Sequence, residues 1–264
     1  MKVIASRDNP TLKSLRVLAG DPRRQRSEGR TLIEGPHLLA AALDHGLAPD
    51  LVAVSEGASV NPEVINLLAR VGKVEMLCLR DALFNEISEL ATPAGILARI
   101  AIPSPPPAPT MLPVGDCLLL DAVQDAGNVG TLLRTAAAAG VRAVLLGTGC
   151  AGAWTPRVLR AAQGAHFGLQ IREQVDLASF LQGYPGMSIA GIAHEGVSLY
   201  DLDLKPPTAW LFGNEGGGIA PELVTLTTVR TTIPLAVGNE SLNVAAAAAV
   251  CLFEMRRQRG NRRI

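Results

Sequence analysis

A proline-dense, uncharged stretch divides this chain and limits what can fold on either side of it. Residues 102–113 read IPSPPPAPTMLP. Proline fixes φ and removes a backbone donor, so this stretch can hold neither a helix nor a central strand. We therefore predict a domain over residues 1–102, an extended linker over 103–114 and a second domain over 115–264.

Helical and strand patterns alternate on both sides of this linker. Before it, apolar periodicity predicts helices over 11–19, 36–45, 62–71 and 81–89 and strands over 51–55, 74–79 and 95–102. After it, the same reasoning predicts strands over 117–121, 142–146, 189–193 and 209–212, a short extended segment at 231–233, and helices over 128–139, 155–162 and 241–258. Strands separated by helices indicate an α/β fold with a mostly parallel sheet covered on both faces.

The charge of the chain is balanced overall but not along its length. The formal net charge is zero, with 24 Lys and Arg against 24 Asp and Glu. Both ends are basic, and the last nine residues contain five arginines and no acid. A basic end can bind nucleic-acid phosphates, but it can equally be a solvated terminus. Charge alone therefore leaves the nature of a partner open.

The cysteines and histidines indicate neither a disulfide framework nor a metal site. Four cysteines lie in apolar stretches without a C-x-x-C pair, and four histidines are scattered without ligand spacing. The longest apolar run, residues 244–253, is about half the length of a membrane span. The N-terminal residues show no signal pattern. We expect a cytoplasmic protein that binds no metal and no membrane.

The first of three polar segments follows the first predicted strand of the second domain. Residues 121–140 read DAVQDAGNVGTLLRTAAAAG. Asn128 can cap the helix that begins there, and Arg134, six residues later, projects near the same helix end. A guanidinium beside free backbone N–H groups suits a nucleic-acid phosphate. A capped helix with a solvated arginine would give the same pattern.

The second polar segment, residues 210–223, reads WLFGNEGGGIAPEL. Its three consecutive glycines follow a strand, and open α/β sheets bind ligands at the carboxyl ends of their strands. Glu215 argues against a phosphate cradle and would tolerate a cationic ligand. Neither the dinucleotide fingerprint nor the P-loop pattern is present. An ordinary flexible turn is the alternative interpretation.

The third polar segment, residues 233–245, reads IPLAVGNESLNVA. A small polar cluster here opens a helix that is almost pure alanine, which permits close packing of one backbone against another. In the simplest interpretation Ser241 is only an N-cap, with Glu240 favourably placed in the first turn.

Together, and in this order, the three segments resemble the signature motifs of the SpoU (TrmH-like) family of SPOUT RNA methyltransferases. The shared patterns are N-x-G-x-x-x-R, F-G-N-E-G-x-G and an I-P segment that ends in S-L-N-V. The resemblance covers the whole chain. Residues 1–102 resemble the family's RNA substrate-binding domain, which is similar to ribosomal protein L30e, and residues 156–167 also fit a family stretch.

The resemblance implies a fold, a cofactor and a set of site residues. Members fold the C-terminal domain with a deep trefoil knot, bind S-adenosyl-L-methionine and are usually homodimers, in which the positions of Asn128 and Arg134 come near the partner's cofactor. The implied cofactor-binding residues are Leu211, Gly213, Asn214, Gly216, Ile233, Leu235 and Leu242. The implied catalytic residues are Asn128, Arg134, Glu215, Ser241 and Asn243. The implied RNA-binding residues are Asn9, Lys13, Arg23, Arg24 and Glu34.

The implied reaction is methylation of a ribose 2′-hydroxyl in structured RNA, with rRNA favoured over tRNA. Arg134 matches the residue often proposed as the base, but a guanidinium holds its proton tightly, so stabilising the developing oxyanion is physically easier. Glu215, Ser241 and Asn243 are expected to orient Arg134 and the ribose. Two alternatives stay open, a catalytically silent RNA-binding protein of the same fold and a small-molecule α/β enzyme such as a nucleotide hydrolase.

Overall fold

The computed structural model describes residues 1–103 and 115–260. The predicted linker therefore lies outside the described residues, apart from Pro103. The chain forms two compact units. Residues 1–103 and 154–167 make up the first unit, and the remaining described residues make up the second.

The first unit is a five-stranded sheet with helices. In chain order, residues 1–103 form β1 (Lys2–Ile4), α1 (Pro10–Gly20), α2 (Pro22–Glu28), β2 (Arg30–Glu34), α3 (Pro36–Asp44), β3 (Leu51–Ser55), α4 (Pro62–Val71), β4 (Glu75–Leu79), α5 (Asp81–Asn85) and β5 (Ile96–Ala101). The strand order is β1-β4-β3-β5-β2. Strands β1, β4 and β3 are parallel, whereas β5 is antiparallel to both β3 and β2. Leucines at three-residue spacing on α1 (Leu12, Leu15 and Leu18) are buried, so one face of that helix is part of the core.

The second unit contains a seven-stranded parallel sheet. From residue 115 onward the chain forms β6 (Cys117–Leu120), α6 (Ala126–Ala139), β7 (Ala143–Leu146), α7 (Pro156–Ala162), β8 (Gln170–Arg172), α8 (Leu177–Gly183), β9 (Met187–Gly191), β10 (Val197–Ser198), β11 (Thr208–Phe212), α9 (Pro221–Leu226), β12 (Val229–Thr232) and α10 (Val244–Gln258). The strand order is β10-β12-β9-β11-β6-β7-β8, and every pair is parallel. Strands β6, β7 and β11 are buried along their whole length, as expected for a sheet covered on both faces.

Helix α7 and its neighbours belong to the first unit, although they follow the linker in sequence. The buried Thr31 hydroxyl donates a 2.6 Å hydrogen bond to the backbone carbonyl of Trp154. The Trp154 and His166 rings pack with their centroids 5.0 Å apart. Arg157 also forms an ion pair with Glu89, at 3.4 Å. The Phe167 ring also packs against His45 of the first unit, with ring centroids 6.1 Å apart, so segment 154–167 is held to that unit by polar and aromatic contacts.

The structure confirms the α/β class and the mostly parallel sheet, and it corrects some boundaries. The helix predicted over 81–89 ends at Asn85, because the chain then turns and the Ser88 hydroxyl accepts a hydrogen bond from the backbone of Leu90. Short elements lacked enough residues to show a period, and the sequence did not predict them: β1, α2, β2, β8, α8, β10 and α9.

Two further expectations concern membranes and chain threading. Across residues 1–103 and 115–260, every helix is too short or too polar to cross a membrane. The trefoil knot implied by the resemblance depends on how the chain threads through its own loops, and it stays a prediction.

Candidate active site

A cleft opens at the carboxyl edge of the second unit's sheet, where three parallel strands end together. Its volume is about 660 Å³, within the range of small-molecule sites. The ends of β9, β11 and β12 and the start of α10 form its walls. The lining residues are Gly191 to Ala193, Phe212 to Ile219, Thr231, Ile233, Leu235, Ser241 to Val244, Ala247 and Cys251.

Asn214 shapes the glycine loop that forms one wall of the cleft. Its backbone pairs with Gly218 in both directions, at 2.8 and 2.9 Å. Its side-chain oxygen accepts from the N–H groups of Gly216 and Gly217, each at 2.9 Å. Its side-chain nitrogen donates to the carbonyl of Ala122, also at 2.9 Å. One amide thus closes the turn and attaches it to the first polar segment.

The glycines of this loop serve two different purposes. A Cβ on Gly213 would lie 2.3 Å from backbone atoms of Gly218, so no side chain fits there without moving the main chain. A Cβ on Gly216 or Gly217 would meet only the Asn214 side-chain oxygen, at 3.6 and 3.7 Å. Gly213 is therefore needed by the fold, whereas Gly216 and Gly217 leave space at the wall of the cleft.

A chain of side-chain hydrogen bonds joins all three polar segments. The Asn128 amide nitrogen donates to Glu215 Oε1 at 2.9 Å, and the Asn128 oxygen accepts from Asn243 Nδ2, also at 2.9 Å. The Glu215 carboxylate additionally accepts from the backbone N–H groups of Gln124 and Asp125. Both amide groups have their orientation set by this relay, which fixes the three segments relative to one another.

The carboxylate of Glu215 is kept in its charged form by these contacts. Desolvation alone would raise its pKa. The bonds donated by Asn128 and by the backbone of Gln124 and Asp125 outweigh that effect, so the pKa of Glu215 is lowered. An ionised acceptor at one end of the relay makes the hydrogen bonds to it stronger than neutral ones.

Two expected helix caps are wrong. Asp125, not Asn128, caps α6, because its side chain accepts from the Asn128 N–H at 2.7 Å. Asn243, not Ser241, caps α10, because its oxygen accepts from the N–H groups of Ala245 and Ala246. In each case the helix begins at a different residue from the predicted one, so the capping position moves with it.

Arg134 is separated from the other predicted catalytic residues. It is exposed on α6 and is absent from the lining of the cleft. Among the described residues it forms no hydrogen bond or ion pair, and the bonds of Glu215 and Asn243 go to Asn128 instead. Ser241 does line the cleft, as an exposed residue at its mouth.

Two family profiles match this chain. The SpoU rRNA methylase family matches residues 117–253, and an MRM3-like substrate binding domain matches residues 9–98.

The chain belongs to the SpoU rRNA methylase family.

Full-length relatives agree with this assignment. The chain is 33% identical to the 23S rRNA (guanosine(2553)-2′-O)-methyltransferase RlmP of Bacillus subtilis, over 97% of this chain and 100% of that protein. It is 30% identical to the mitochondrial rRNA methyltransferase 3 of Mus musculus, over 92% of this chain and 70% of the relative. The crystal structure of an AdoMet-bound rRNA methyltransferase from Sinorhizobium meliloti superposes with a TM-score of 0.84, at 26% identity and over 97% of both chains.

The cleft contains all but one of the cofactor-binding residues expected from the SpoU resemblance. Gly213, Asn214, Gly216, Ile233, Leu235 and Leu242 line it. Leu211 does not, because it lies fully buried in β11 and its side chain packs in the core of the sheet.

The sequence reasoning missed the wall that follows β9. Gly191, Ile192 and Ala193 line the cleft, and a Cβ on Gly191 would lie 2.5 Å from the Phe212 ring. The sequence signal for this wall was Gly191, which lies within the strand predicted over residues 189–193. It became informative only once β9 was known to lie between β11 and β12.

The five expected RNA-binding residues of the first unit have different surroundings. Asn9 caps α1 by accepting from Thr11 and Leu12, so it has a structural task. Glu34 accepts from the Ser88 hydroxyl, and burial raises its pKa. Lys13 pairs with Asp8 at 2.7 Å, and Arg24 pairs with Glu28 at 2.5 Å. Arg23 alone of the five has its side chain unpaired among the described residues.

The described residues hold no group of three or more His, Cys, Asp or Glu that could bind a metal ion.

Proposed function

We propose that this chain transfers a methyl group from S-adenosylmethionine to a ribose 2′-hydroxyl of ribosomal RNA. The observation that carries the proposal is the relay from Glu215 through Asn128 to Asn243, which joins the three SpoU segments beside one glycine-walled cleft. Ribosomal RNA is the substrate class named for the relatives from Bacillus subtilis and Mus musculus. The four cysteines are free thiols, which agrees with action in the cytoplasm.

The residues of the cleft fit the cofactor. Leu235 and Val244 supply apolar surface, and Gly216 and Gly217 leave backbone open to a ligand. The ionised Glu215 places a negative charge at this end of the cleft, which favours a cationic ligand. S-adenosylmethionine, when bound, supplies a methyl group already activated by its sulfonium. What remains for the protein is to position the ribose and to stabilise the charge that develops on its oxygen.

We assign to Arg134 the task of stabilising the negative charge that develops on the ribose oxygen. A 2′-hydroxyl is a poor nucleophile, and the guanidinium can donate two hydrogen bonds to a developing alkoxide or to a neighbouring phosphate. It has no competing partner among the described residues, so it is free to meet the RNA. Glu215 and Asn243 hold Asn128 firmly, and through it the start of α6, the helix that carries Arg134.

A homodimer would bring Arg134 to a cofactor. Because Arg134 does not reach the cleft of its own chain, we propose that it acts at the cleft of a second copy, related by two-fold symmetry. Each site would then combine the cofactor cleft of one protomer with the arginine of its partner.

Subunit complementation tests both parts of this proposal. Arg134→Ala should abolish methyl transfer while leaving S-adenosylmethionine binding by calorimetry nearly unchanged. A second variant, Gly216→Trp, should fill the cleft and be inactive for lack of cofactor. When the two variants are mixed at random, about half of the dimers are heterodimers and each of these restores one of its two sites, so activity should return to roughly a quarter of wild type. No recovery in a proven heterodimer would contradict action across the interface, and loss of cofactor binding in Arg134→Ala would contradict the role of Arg134.

A further inference from the structure

We infer that the side of helix α2 carrying Arg23 and Arg26 contacts the phosphate backbone of the RNA substrate. We call these two side chains the α2 ridge. The inference rests on the proposed function, because it presumes an RNA substrate. It adds Arg26 to the RNA-binding residues that the resemblance implied, and it leaves out Lys13 and Arg24, whose side chains are paired with acids.

Pairing removes most cations of the first unit from consideration. Eight of them form ion pairs with acids of the same unit: Arg7, Lys13, Arg16, Arg24, Arg30, Arg70, Arg99 and Arg157. A phosphate would have to displace a carboxylate at each of these positions. Arg23 and Arg26, in contrast, are exposed and form no side-chain hydrogen bond or ion pair with any described residue.

Arg80 and Arg160 of this unit also form no ion pair with a described residue, but they lie on separate segments, whereas helix geometry places Arg23 and Arg26 together. Successive residues are about 100° apart around a helix, so positions three apart are neighbours on its surface. Gln25 marks the inner side of α2, since its side chain is 2% exposed and donates to the carbonyl of Leu18 at 2.8 Å. When the helix is viewed along its axis, Arg23 and Arg26 lie to one side of Gln25. Arg24 and Glu28, which form an ion pair, lie to the other side.

The helix is anchored at both ends, which makes the ridge a fixed surface. Seven residues are too few for a stable isolated helix, so α2 depends on its attachments. Asp21 caps its start by accepting from the N–H groups of Arg23 and Arg24, at 2.8 and 3.3 Å. Gly29 ends it in a left-handed conformation, and the Gln25 bond holds its middle. A rigid backbone reduces the ordering cost of binding, because only the two side chains must be fixed.

The chemistry of the ridge fits a phosphodiester backbone better than bases. Guanidinium groups donate several hydrogen bonds in a plane and match phosphate oxygens. No aromatic residue occurs on α2 to stack with a base. The ridge lies within the residues that match a substrate-binding domain. We therefore assign it sequence-independent grip on the RNA, which positions the substrate and does not select the nucleotide.

Salt dependence of RNA binding tests the ridge directly. The probe is an in vitro transcript of large-subunit ribosomal RNA, bound to the full-length chain over a range of salt concentrations. Each lost phosphate contact lowers the slope of log K against log salt by about 0.7 to 0.9. Arg23→Gln/Arg26→Gln should therefore lower it by about 1.4 to 1.8. Arg23→Lys/Arg26→Lys should keep most of the slope, because the charges remain.

Two matched controls separate this surface from general loss of charge. Arg7→Gln/Arg70→Gln removes the same number of charges from paired residues of the same unit, and Lys73→Gln removes an exposed cation elsewhere. Both should keep a slope close to wild type. An equal loss in the paired variant would overturn the α2 ridge, as would an unchanged slope in Arg23→Gln/Arg26→Gln.

The failure of this inference differs from the failure of the proposed function. Wild-type methyl transfer to the transcript, with S-adenosylmethionine binding by calorimetry, tests the function itself. If the wild-type chain neither binds nor methylates the RNA, both proposals fall. If wild type does both and the ridge variant binds equally well, only the ridge is wrong. Thermal melting of each variant checks that the exposed substitutions leave the fold intact.

Discussion

Asparagine has three different tasks around this cleft. Asn214 closes the glycine loop with its own backbone and side chain, and Asn128 stands between an acid and an amide. Asn243 caps α10 with its oxygen while its nitrogen donates to Asn128. An aspartate at any of these positions would lose the donor, and a serine would lose the reach. The contacts at these three positions therefore need an asparagine and not merely a small polar residue.

At the residue scale, we predict that two glycines of one loop respond differently to a methyl group. Gly213→Ala forces a clash with the backbone of Gly218 and should cost about 1–3 kcal/mol of stability. For a domain of this size that lowers Tm by roughly 3–10 °C. Gly216→Ala meets no protein backbone, so it should keep the wild-type Tm but bind S-adenosylmethionine more weakly.

Thermal melting and calorimetry on the same preparations distinguish the two glycine variants. If Gly216→Ala melts as low as Gly213→Ala, the open space at that wall has a structural and not a ligand-binding purpose. Unchanged cofactor affinity in a stable Gly216→Ala would show that the cofactor does not approach this part of the loop.

Residue types and spacings in the three polar segments predicted which residues matter, but not which partner each one has. Glu215 lies 87 residues from Asn128 along the chain, and Asn243 lies 115 residues from it. Their contacts depend on the order of strands in the sheet, which no local pattern specifies. Arg134 shows the same limit, since its spacing predicted a position near Asn128, whereas it is absent from the lining of the cleft that the described residues form.

At the element scale, α10 connects the cleft to the opposite end of the second unit. Its first turn is capped by Asn243 at the cleft. Its last turn holds the segment before β11, because Gln258 bonds to both Leu202 and Leu204. Arg259, just after the helix, pairs with Asp116 and donates to the carbonyls of Leu204 and Pro206. This basic end thus stabilises the fold in its described part.

Removing Arg259 should therefore destabilise the protein without affecting the site directly. Arg259→Ala leaves Asp116 without its cation and the Leu204 carbonyl without a donor, whereas the Pro206 carbonyl still accepts from the Thr208 hydroxyl, at a cost of about 1–3 kcal/mol. Tm should fall by roughly 3–10 °C, while S-adenosylmethionine affinity measured below the transition stays close to wild type.

Arg256→Ala is the matched control, because among the described residues the Arg256 side chain makes only one long bond, 3.4 Å, to the carbonyl of Ala138. Its Tm should change little. Equal destabilisation by both substitutions would show that helix charge, and not the contacts of Arg259, accounts for the effect.

At the scale of the whole molecule, the two compact units do not correspond to two continuous stretches of the sequence. The predicted linker divides the sequence into two predicted domains, yet segment 154–167, which follows it, packs in the first unit. Trp154 is buried there and its carbonyl accepts the Thr31 bond. The second tryptophan, Trp210, is fully buried in the second unit. A fragment of residues 115–264 therefore contains both tryptophans, but it lacks residues 1–103, which surround Trp154 in the first unit.

We predict that a chain of residues 115–264 shows red-shifted tryptophan emission that acrylamide quenches more readily than in the full-length protein. The cause would be exposure of Trp154, so Trp154→Phe in the truncated chain should remove the red-shifted component and leave that of Trp210. Emission identical to the full-length protein would contradict the assignment of segment 154–167 to the first unit.

Local chemistry in the sequence was enough to predict the α/β alternation, the long helices and the positions of the three polar segments. These features depend on residues near one another in the chain, such as the apolar period of α4 or the three glycines before Ile219. The tertiary structure alone decided that β9 lies beside β11, that Glu215 meets Asn128, and that the Thr31 hydroxyl donates to the carbonyl of Trp154. Each of these contacts joins residues whose separation is set by sheet order and helix rotation. The free energy of such contacts is shared across the whole core, so no short segment encodes it.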